Sequence, residues 1–327
     1  NINEFPDLLK RIEAGEKICA NGEIPIAEGD LQPKRVKSVN AWIPITEGCD
    51  NFCTYCIVPY TRGRERSRDP QKIISEVKDA IKNGFKEVTL LGQNVDSYGK
   101  KGDYTDWNLA RLLREINKIE GQFRIRFTTS YPTDITDELI QTVVDCDKVC
   151  EYFHIPMQSG SSEILKKMNR RYDRERYAQI VRNIREKVKD VTITSDFIVG
   201  FPSETEEQFE ETLSAMRELE LDYSPREKTV AARMVEDFIP EDVKEKRLAI
   251  INEQNRENCV KSNQKYLNTQ AEVLIDSFYE RKGQHINTGR TRNNKIVHIP
   301  CDEDLTGKFV NVEITGMKTW YLKGNII

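Results

Sequence analysis

Between residues 38 and 219 a short apolar run repeatedly gives way to a polar turn and then to an amphipathic stretch. No other feature limits the folds open to this chain as tightly. The apolar runs fall at 38–45 ("SVNAWIPI"), 87–93, 124–130, 151–159 and 191–201. The helical stretches fall at 70–82, 108–119, 136–146, 161–168, 173–187 and 203–219. Strands that alternate with helices pair in parallel through helical crossovers. The repetition predicts an α/β chain whose strands curl into a partial (β/α) barrel. Start signals support the helices: Ser203 and Glu206 read as a capping box, and Thr136 precedes an acidic first turn. After 203–219 a sixth strand is due, yet only "LELDY" stands before "SPRE". Either that strand is degenerate or residues are missing between Asp222 and Tyr223, and the second is expected.

The flanks differ from this pattern. Residues 1–37 read as a helix and a Gly/Pro-punctuated connector. The barrel domain with its trailing polar helix (240–266) spans 38–266. Residues 267–327 alternate as short strands with tight turns, which predicts a small antiparallel β-barrel.

With 327 residues the chain can bury one large core and a small module. No apolar run approaches the ~18–20 residues of a membrane span. The N-terminus lacks both the layout of a signal peptide and an initiator Met, so a fragment of a longer protein is expected. Eight unevenly spaced cysteines do not make a disulfide framework, and a reducing cytoplasm suits them. A net charge of −4 argues against a general nucleic-acid binder but leaves room for a local basic surface.

The chemistry concentrates in "TEGCDNFCTYCIVPYTRGRERSR" (46–68). Cys49, Cys53 and Cys56 lie just after the first predicted strand, where the loops of a parallel barrel build active sites. Thiolates this close can wrap one soft metal centre. Structural zinc closes with four ligands, and neither a second cysteine pair nor a histidine lies nearby in sequence. Three thiolates on a four-iron cluster leave one iron open to a substrate. Zinc and unliganded cysteines remain the alternatives.

Cys-x3-Cys-x2-Cys with Tyr55 before the last Cys resembles the signature of radical S-adenosylmethionine (radical SAM) enzymes. With "TLLGQNVDSYG", "HIPMQSGSSEILKKMNRRY", "DFIVGFPSETEEQFEET" and "YSPRE", the chain is similar to the methylthiotransferase family. The nearest branch acts on isopentenyl-adenosine in tRNA. The resemblance covers essentially the whole chain. It implies a 4Fe–4S cluster on the three cysteines, SAM on the open iron, hydrogen removal from adenine carbon 2, a second SAM as methyl donor, and a flavodoxin or ferredoxin as reductant. It also implies an N-terminal domain with a second 4Fe–4S cluster, to which residues 1–37 would be the linker. Cys19, Cys146, Cys150, Cys259 and Cys301 are too scattered to replace that cluster, so this chain is expected to cleave SAM without completing methylthiolation.

The lesser motifs each have a bland reading beside the functional one. Gly92, Gln93 and Asn94 are expected near SAM's methionine end, or else serve a glycine turn. His154, Gln158 and Ser159 are expected to take part in SAM or substrate binding, or else fill the rim. Arg171 could pair with SAM's carboxylate, or sit as an exposed helix charge. Asp196, Ile198 and Phe201 are expected along SAM's adenine, or else form a structural turn. Arg62, Arg64, Arg66 and Arg68, with Tyr60, are expected on tRNA phosphates rather than on a merely solvated face. The C-terminal module resembles the TRAM domain, with Arg290, Arg292, Asn293 and Lys295 on one hairpin and Trp320 and Tyr321 free to stack on bases. Eight Lys/Arg stand against seven Asp/Glu from residue 270 onward, so its RNA binding rests on the likeness. Lys228 and Val230 replace the family's usual Gly and Pro.

The expectation is a monomeric enzyme with tRNA as partner and no membrane. Its rivals are a methylthiotransferase for threonylcarbamoyl-adenosine tRNA or for an aspartate of a ribosomal protein, and a non-catalytic RNA-binding protein with structural zinc.

Overall fold

The computed structural model describes residues 4–19, 35–36, 38–223 and 239–327, and it divides into two compact units, Asn1–Lys37 and Ser38–Ile327. The connector at 20–34, most of "YSPRE", Lys228 and Val230 lie outside the described residues. In the first unit Pro6 sits in the opening turn of α1 (Phe5–Glu13), where its missing N–H costs nothing.

The second unit opens with β1 (Asn40–Pro44), followed by the stub β2 (Thr46–Glu47), the short helix α2 (Val58–Thr61) and the stub β3 (Arg66–Ser67). Then come α3 (Pro70–Lys82), β4 (Glu87–Leu91), α4 (Leu109–Asn117), β5 (Arg124–Phe127), α5 (Asp137–Asp145), β6 (Tyr152–His154), α6 (Ser162–Lys167), α7 (Arg174–Lys187), β7 (Thr192–Ser195), α8 (Glu206–Glu218) and β8 (Asp222–Tyr223). All five expected strands and six expected helices are present, with the strands shorter than their apolar runs. β1, β4 and β5 pair in parallel, as do β6, β7 and β8. The two sheets are joined by a parallel bridge between Ile125 and Val149. This is the partial barrel. The sixth strand is present as two residues in register with β7, and residues 224–238 lie outside the described residues.

Local sequence explains the helix boundaries. Asp69 accepts from the Gln71 N–H at 2.7 Å at the head of α3, and Thr136 accepts from the Leu139 N–H at the head of α5. The box expected from Ser203 and Glu206 is corrected. Thr205 is the N-cap of α8 and exchanges side-chain and backbone bonds with Gln208, while Ser203 sits outside the helix at φ 64°. Ser-x-x-Glu and Thr-x-x-Gln overlap here, and the positive φ at Ser203 excludes it from the cap.

One face of the strands carries the apolar core. Ala41, Ile43, Val88, Leu90, Ile125, Phe127, Phe153 and Ile193 pack on Ile73, Val77, Leu112, Leu113, Leu139, Ile184 and Leu213 from the helices. Most of the alternate residues, on the opposite face, are polar, Trp42, Pro44 and Leu91 excepted. Asn40 bonds Thr89 at 3.0 Å, Arg126 bonds Glu87, and Tyr152 and His154 both bond Thr194. Apolar-outward and polar-inward alternation turns that inner face into a place for a polar ligand.

The helix α9 (Glu241–Gln264) leads to β9 (Gln270–Arg281), β10 (Gln284–Thr291), β11 (Ile296–Pro300), β12 (Phe309–Met317) and β13 (Leu322–Ile326), which close into a five-stranded barrel ordered β10-β11-β13-β12-β9. One pair departs from the antiparallel expectation: β11 and β13 run parallel.

Candidate cofactor and tRNA site

Residues 48–65 hang as one loop between β2 and β3, which pair antiparallel at Thr46–Ser67 and Glu47–Arg66. At its neck Gly48 has φ 73°, and a side-chain carbon there would stand 2.2 Å from the Arg64 carbonyl oxygen, so only glycine fits. The Cys49 N–H donates to Gly63 O, and the Cys56 N–H to Cys53 O at 2.9 Å. Burial works to raise the Asp50 carboxyl. Lys101, the Glu65 N–H and Arg64 more than offset it and hold Asp50 below the usual carboxylate range.

The loop's far side is fastened by the turn between α6 and α7. The Thr54 N–H donates to Met168 O at 3.1 Å and its hydroxyl to Lys167 O. Asn169, at φ 58°, donates its amide to Phe52 O at 2.9 Å. Asn tolerates that left-handed conformation better than most side chains. Arg170 reaches Cys53 Sγ at 3.4 Å. "KKMNRRY" therefore holds the cysteine loop, a role that its distance in sequence conceals.

Cys49 and Cys53 are buried and Cys56 is half-buried. Burial pushes the Cys49 thiol up, and Cys53, Cys56 and Glu65 add to it against a backbone N–H from Asn51. A cationic metal centre relieves that penalty, because coordination deprotonates a thiol outright. Among the described residues no group of three or more His, Cys, Asp or Glu is arranged to hold a single metal ion. An iron–sulfur cluster does not need one, since it takes each thiolate on a different iron. The donor set fits such a cluster.

The SAM candidates divide. Gly92 packs so closely that a side-chain carbon would stand 2.1 Å from Thr46 Oγ1, and Gln93 Oε1 is buried without a hydrogen-bond partner beside it. Asn94 is 2% exposed and donates to Asp134 at 2.6 Å, which makes it structural on that side. His154 Nδ1 is hydrogen-bonded to Thr194 Oγ1 at 2.9 Å, leaving Nε2 facing Asp196 Oδ2 at 3.4 Å, so these two candidates do meet. Gln158, at φ 73°, exchanges backbone bonds with Asp196 and Ile198. Ile198 and Phe201 pack with Ile164, Met168 and Tyr55 of the cysteine loop. Ser159 is fully buried and bonded to Thr212 of α8 and to the Ser161 N–H, which occupies its hydroxyl with packing rather than a ligand. Arg171 is exposed. Its neighbour Arg170 is the arginine turned toward the cysteines, because the turn at Asn169 sets which of the two points inward.

Among the basic residues after the loop, Arg62, Arg64 and Arg66 are exposed, with Arg64 stacked 4.6 Å over Phe52. Arg68 is corrected from a surface contact to a staple between Pro44 O and Glu76, 2.9 Å away. The hairpin arginines are corrected too. Arg292 donates to both oxygens of Glu151 and to the carbonyls of Asp147 and Val149, and Lys295 to Ser262 Oγ at 2.7 Å. The Arg290 carbonyl accepts from Arg124 at 2.6 Å, while its side chain faces Asp276 and Asn294. The hairpin is thus the joint between the two barrels: Arg292 is paired there with Glu151 and Lys295 is bonded to Ser262, while the Arg290 side chain stays part-exposed. Trp320 is 53% exposed, whereas Tyr321 is stacked on His298 at 4.0 Å. A cleft of about 820 Å³, lined by Val144, Lys189, Thr269 and Asn293 among others, lies at that joint, away from the cysteines.

Sequence reasoning also missed Arg247. From α9 it pairs with the fully buried Glu204 side chain at 2.8 Å, and Glu204 in turn accepts from the Gly200 N–H, fixing the segment after β7.

The family model of the radical SAM superfamily matches residues 43–216, and that of the TRAM domain matches 264–327. Three curated relatives bear the name tRNA-2-methylthio-N(6)-dimethylallyladenosine synthase. The protein from Thermoanaerobacter pseudethanolicus is 46% identical over 339 residues, covering 100% of this chain and 70% of that protein. Those from Acetivibrio thermocellus and Clostridium novyi are each 46% identical, covering 100% of this chain and 69% and 74% of theirs. No helix among the described residues is long and apolar enough to cross a membrane.

Proposed function

The chain belongs to the radical SAM superfamily and, within it, to the family of tRNA-2-methylthio-N(6)-dimethylallyladenosine synthases, and from that premise we propose that it serves the 2-methylthiolation of isopentenyl-adenosine beside the tRNA anticodon. Identity along the whole chain, with a three-cysteine loop fastened at the carboxyl ends of the strands, carries this reading.

Cys49, Cys53 and Cys56 would hold a 4Fe–4S cluster, with SAM beside it against Gln93, His154 and residues 196–201. Together the two supply the one-electron chemistry that activates an aromatic C–H bond. The protein's part is positional. Gly48 and Asn169 set the course of the loop, and the Thr194 bond to Nδ1 orients His154. Tyr55, Phe201, Ile164 and Met168 give the loop an apolar wall that excludes water. Arg62, Arg64 and Arg66 contact tRNA phosphates, and Trp320 stacks on a base. A flavodoxin or ferredoxin supplies the electron, and the chain works as a cytoplasmic monomer.

The test needs no sulfur transfer. Anoxically reconstituted protein should bind about four irons and four sulfides, where a structural zinc would leave about one metal. With SAM, a reductant and isopentenylated tRNA deuterated at adenine carbon 2, deuterium should appear in 5′-deoxyadenosine. Transfer only from threonylcarbamoylated tRNA or from a ribosomal-protein aspartate would reassign the substrate. Absence of the cluster would end the reading.

A further inference from the structure

Arg170 is held more completely than a surface arginine needs to be. Its guanidinium lies 4.4 Å from the ring centroid of Tyr131 and 4.9 Å from that of Tyr172. Nε donates to Tyr172 Oη at 2.7 Å and Nη2 to Pro156 O at 2.9 Å, which leaves Nη1 aimed at Cys53 Sγ, 3.4 Å away. Tyr172 is fixed in turn by the Pro156 and Met157 carbonyls. Two aromatic faces and two neutral oxygens orient the charge but do not neutralise it. Among the described residues no carboxylate is hydrogen-bonded to this guanidinium. A half-buried cation with no carboxylate bonded to it favours an anion at its open end. The sulfur at its open end becomes one when Cys53 binds metal.

We propose that Arg170 is a positioning residue that tunes the reduction potential of the cluster, through a charge-assisted N–H···S bond to the Cys53 sulfur. The proposal rests on the cluster reading above. Reduction adds one negative charge to the cluster, and a fixed cation donating to a ligand sulfur stabilises the more negative state, so Arg170 raises the potential. The buried rings of Tyr131 and Tyr172 cover part of the guanidinium, so the charge acts at short range with reduced screening. A merely structural Arg170 would tie the 156–157 segment to the α6–α7 turn and leave the potential alone.

Reconstituted parent, Arg170→Gln and Arg170→Lys chains should be compared by anaerobic potentiometric titration followed by electron paramagnetic resonance, with iron and sulfide assayed in each. The Gln variant should keep about four irons. At the parent's midpoint its reduced-to-oxidised ratio should fall about tenfold, a shift of about 59 mV for one electron. The Lys variant, which keeps the charge but loses the fork, should fall less. An unchanged midpoint in Gln overturns the proposal. So does a Gln variant that binds no cluster combined with a Lys variant whose midpoint equals the parent's. A parent chain without any cluster signal instead removes the reading beneath it.

Discussion

Arg126 Nε lies 2.7 Å from Glu87 Oε2, with the two side chains only 6% and 8% exposed, and the same guanidinium reaches the carbonyls of Thr291 and Arg292 in the small barrel. One buried ion pair thus sits where the two barrels meet. Removing one partner strands the other without a counter-charge. Arg126→Met should lower unfolding stability by about 3–5 kcal/mol, while Arg126→Met with Glu87→Leu should recover much of that loss. Urea unfolding of both variants checks it. Equal losses in the two would show that the carbonyl bonds, not the ion pair, matter.

Asp96 gives a prediction in pH. Burial pushes this carboxyl up to about 7, with Asp134 adding to it and the Ser130 hydroxyl and Tyr131 N–H opposing. Between about pH 4 and 7 the folded chain keeps a proton that the unfolded chain releases, so stability falls as pH rises through that window, by at most ~1.4 kcal/mol per pH unit. Asp96→Asn should flatten the profile. Unfolding midpoints at pH 5 and 7.5 that differ as much in the variant as in the parent would refute it.

Gly92 tests the SAM side. A methyl group there meets Thr46 Oγ1 at 2.1 Å and Val95 Cγ1 at 3.2 Å. Gly92→Ala should weaken SAM binding at least tenfold by calorimetry, equivalent to about 1.4 kcal/mol. Adding Thr46→Ala, which removes that oxygen, should restore part of it. No rescue would mean that the glycine serves something other than close packing.

The arginines separate by salt. Neutralising Arg62, Arg64 or Arg66 should reduce the slope of log affinity against log salt for tRNA by roughly 0.7–0.9 for each phosphate that is no longer neutralised. Arg292→Gln should leave that slope alone and lower thermal stability, because Arg292 is tied to Glu151, Asp147 and Val149. The opposite pattern would return the hairpin to the RNA side.

Much of this was legible in the sequence, and the reasons are specific. The α/β alternation worked because one face of each strand is apolar, as at Val88, Leu90, Ile125 and Phe127. The cysteine loop was legible because its donors lie within eight residues. Contacts between distant segments were not. Nothing local marks Arg170 over Arg171, since one backbone turn at Asn169 decides which points inward. A charged hairpin tip reads as a nucleic-acid surface, and only the acceptors at Glu151 and Val149 show that it faces protein. Ser203 lost its place at the head of α8 for a similar reason, a backbone angle that the pattern of side chains does not encode.

The Arg290 carbonyl accepts from Arg124 at the amino end of β5, and those of Thr291 and Arg292 from Arg126 two residues on, so the appended barrel is the underside of the larger one as well as its accessory. Trimming the chain after α9 to abolish RNA affinity would also pull a plug from beneath the strands and leave two guanidinium groups, Arg124 and Arg126, facing water in place of amide oxygens. Conversely, any torque on the small barrel would travel along these bonds into β5, and through Arg292 and Glu151 into the segment that leads to His154. The two barrels are mechanically one body.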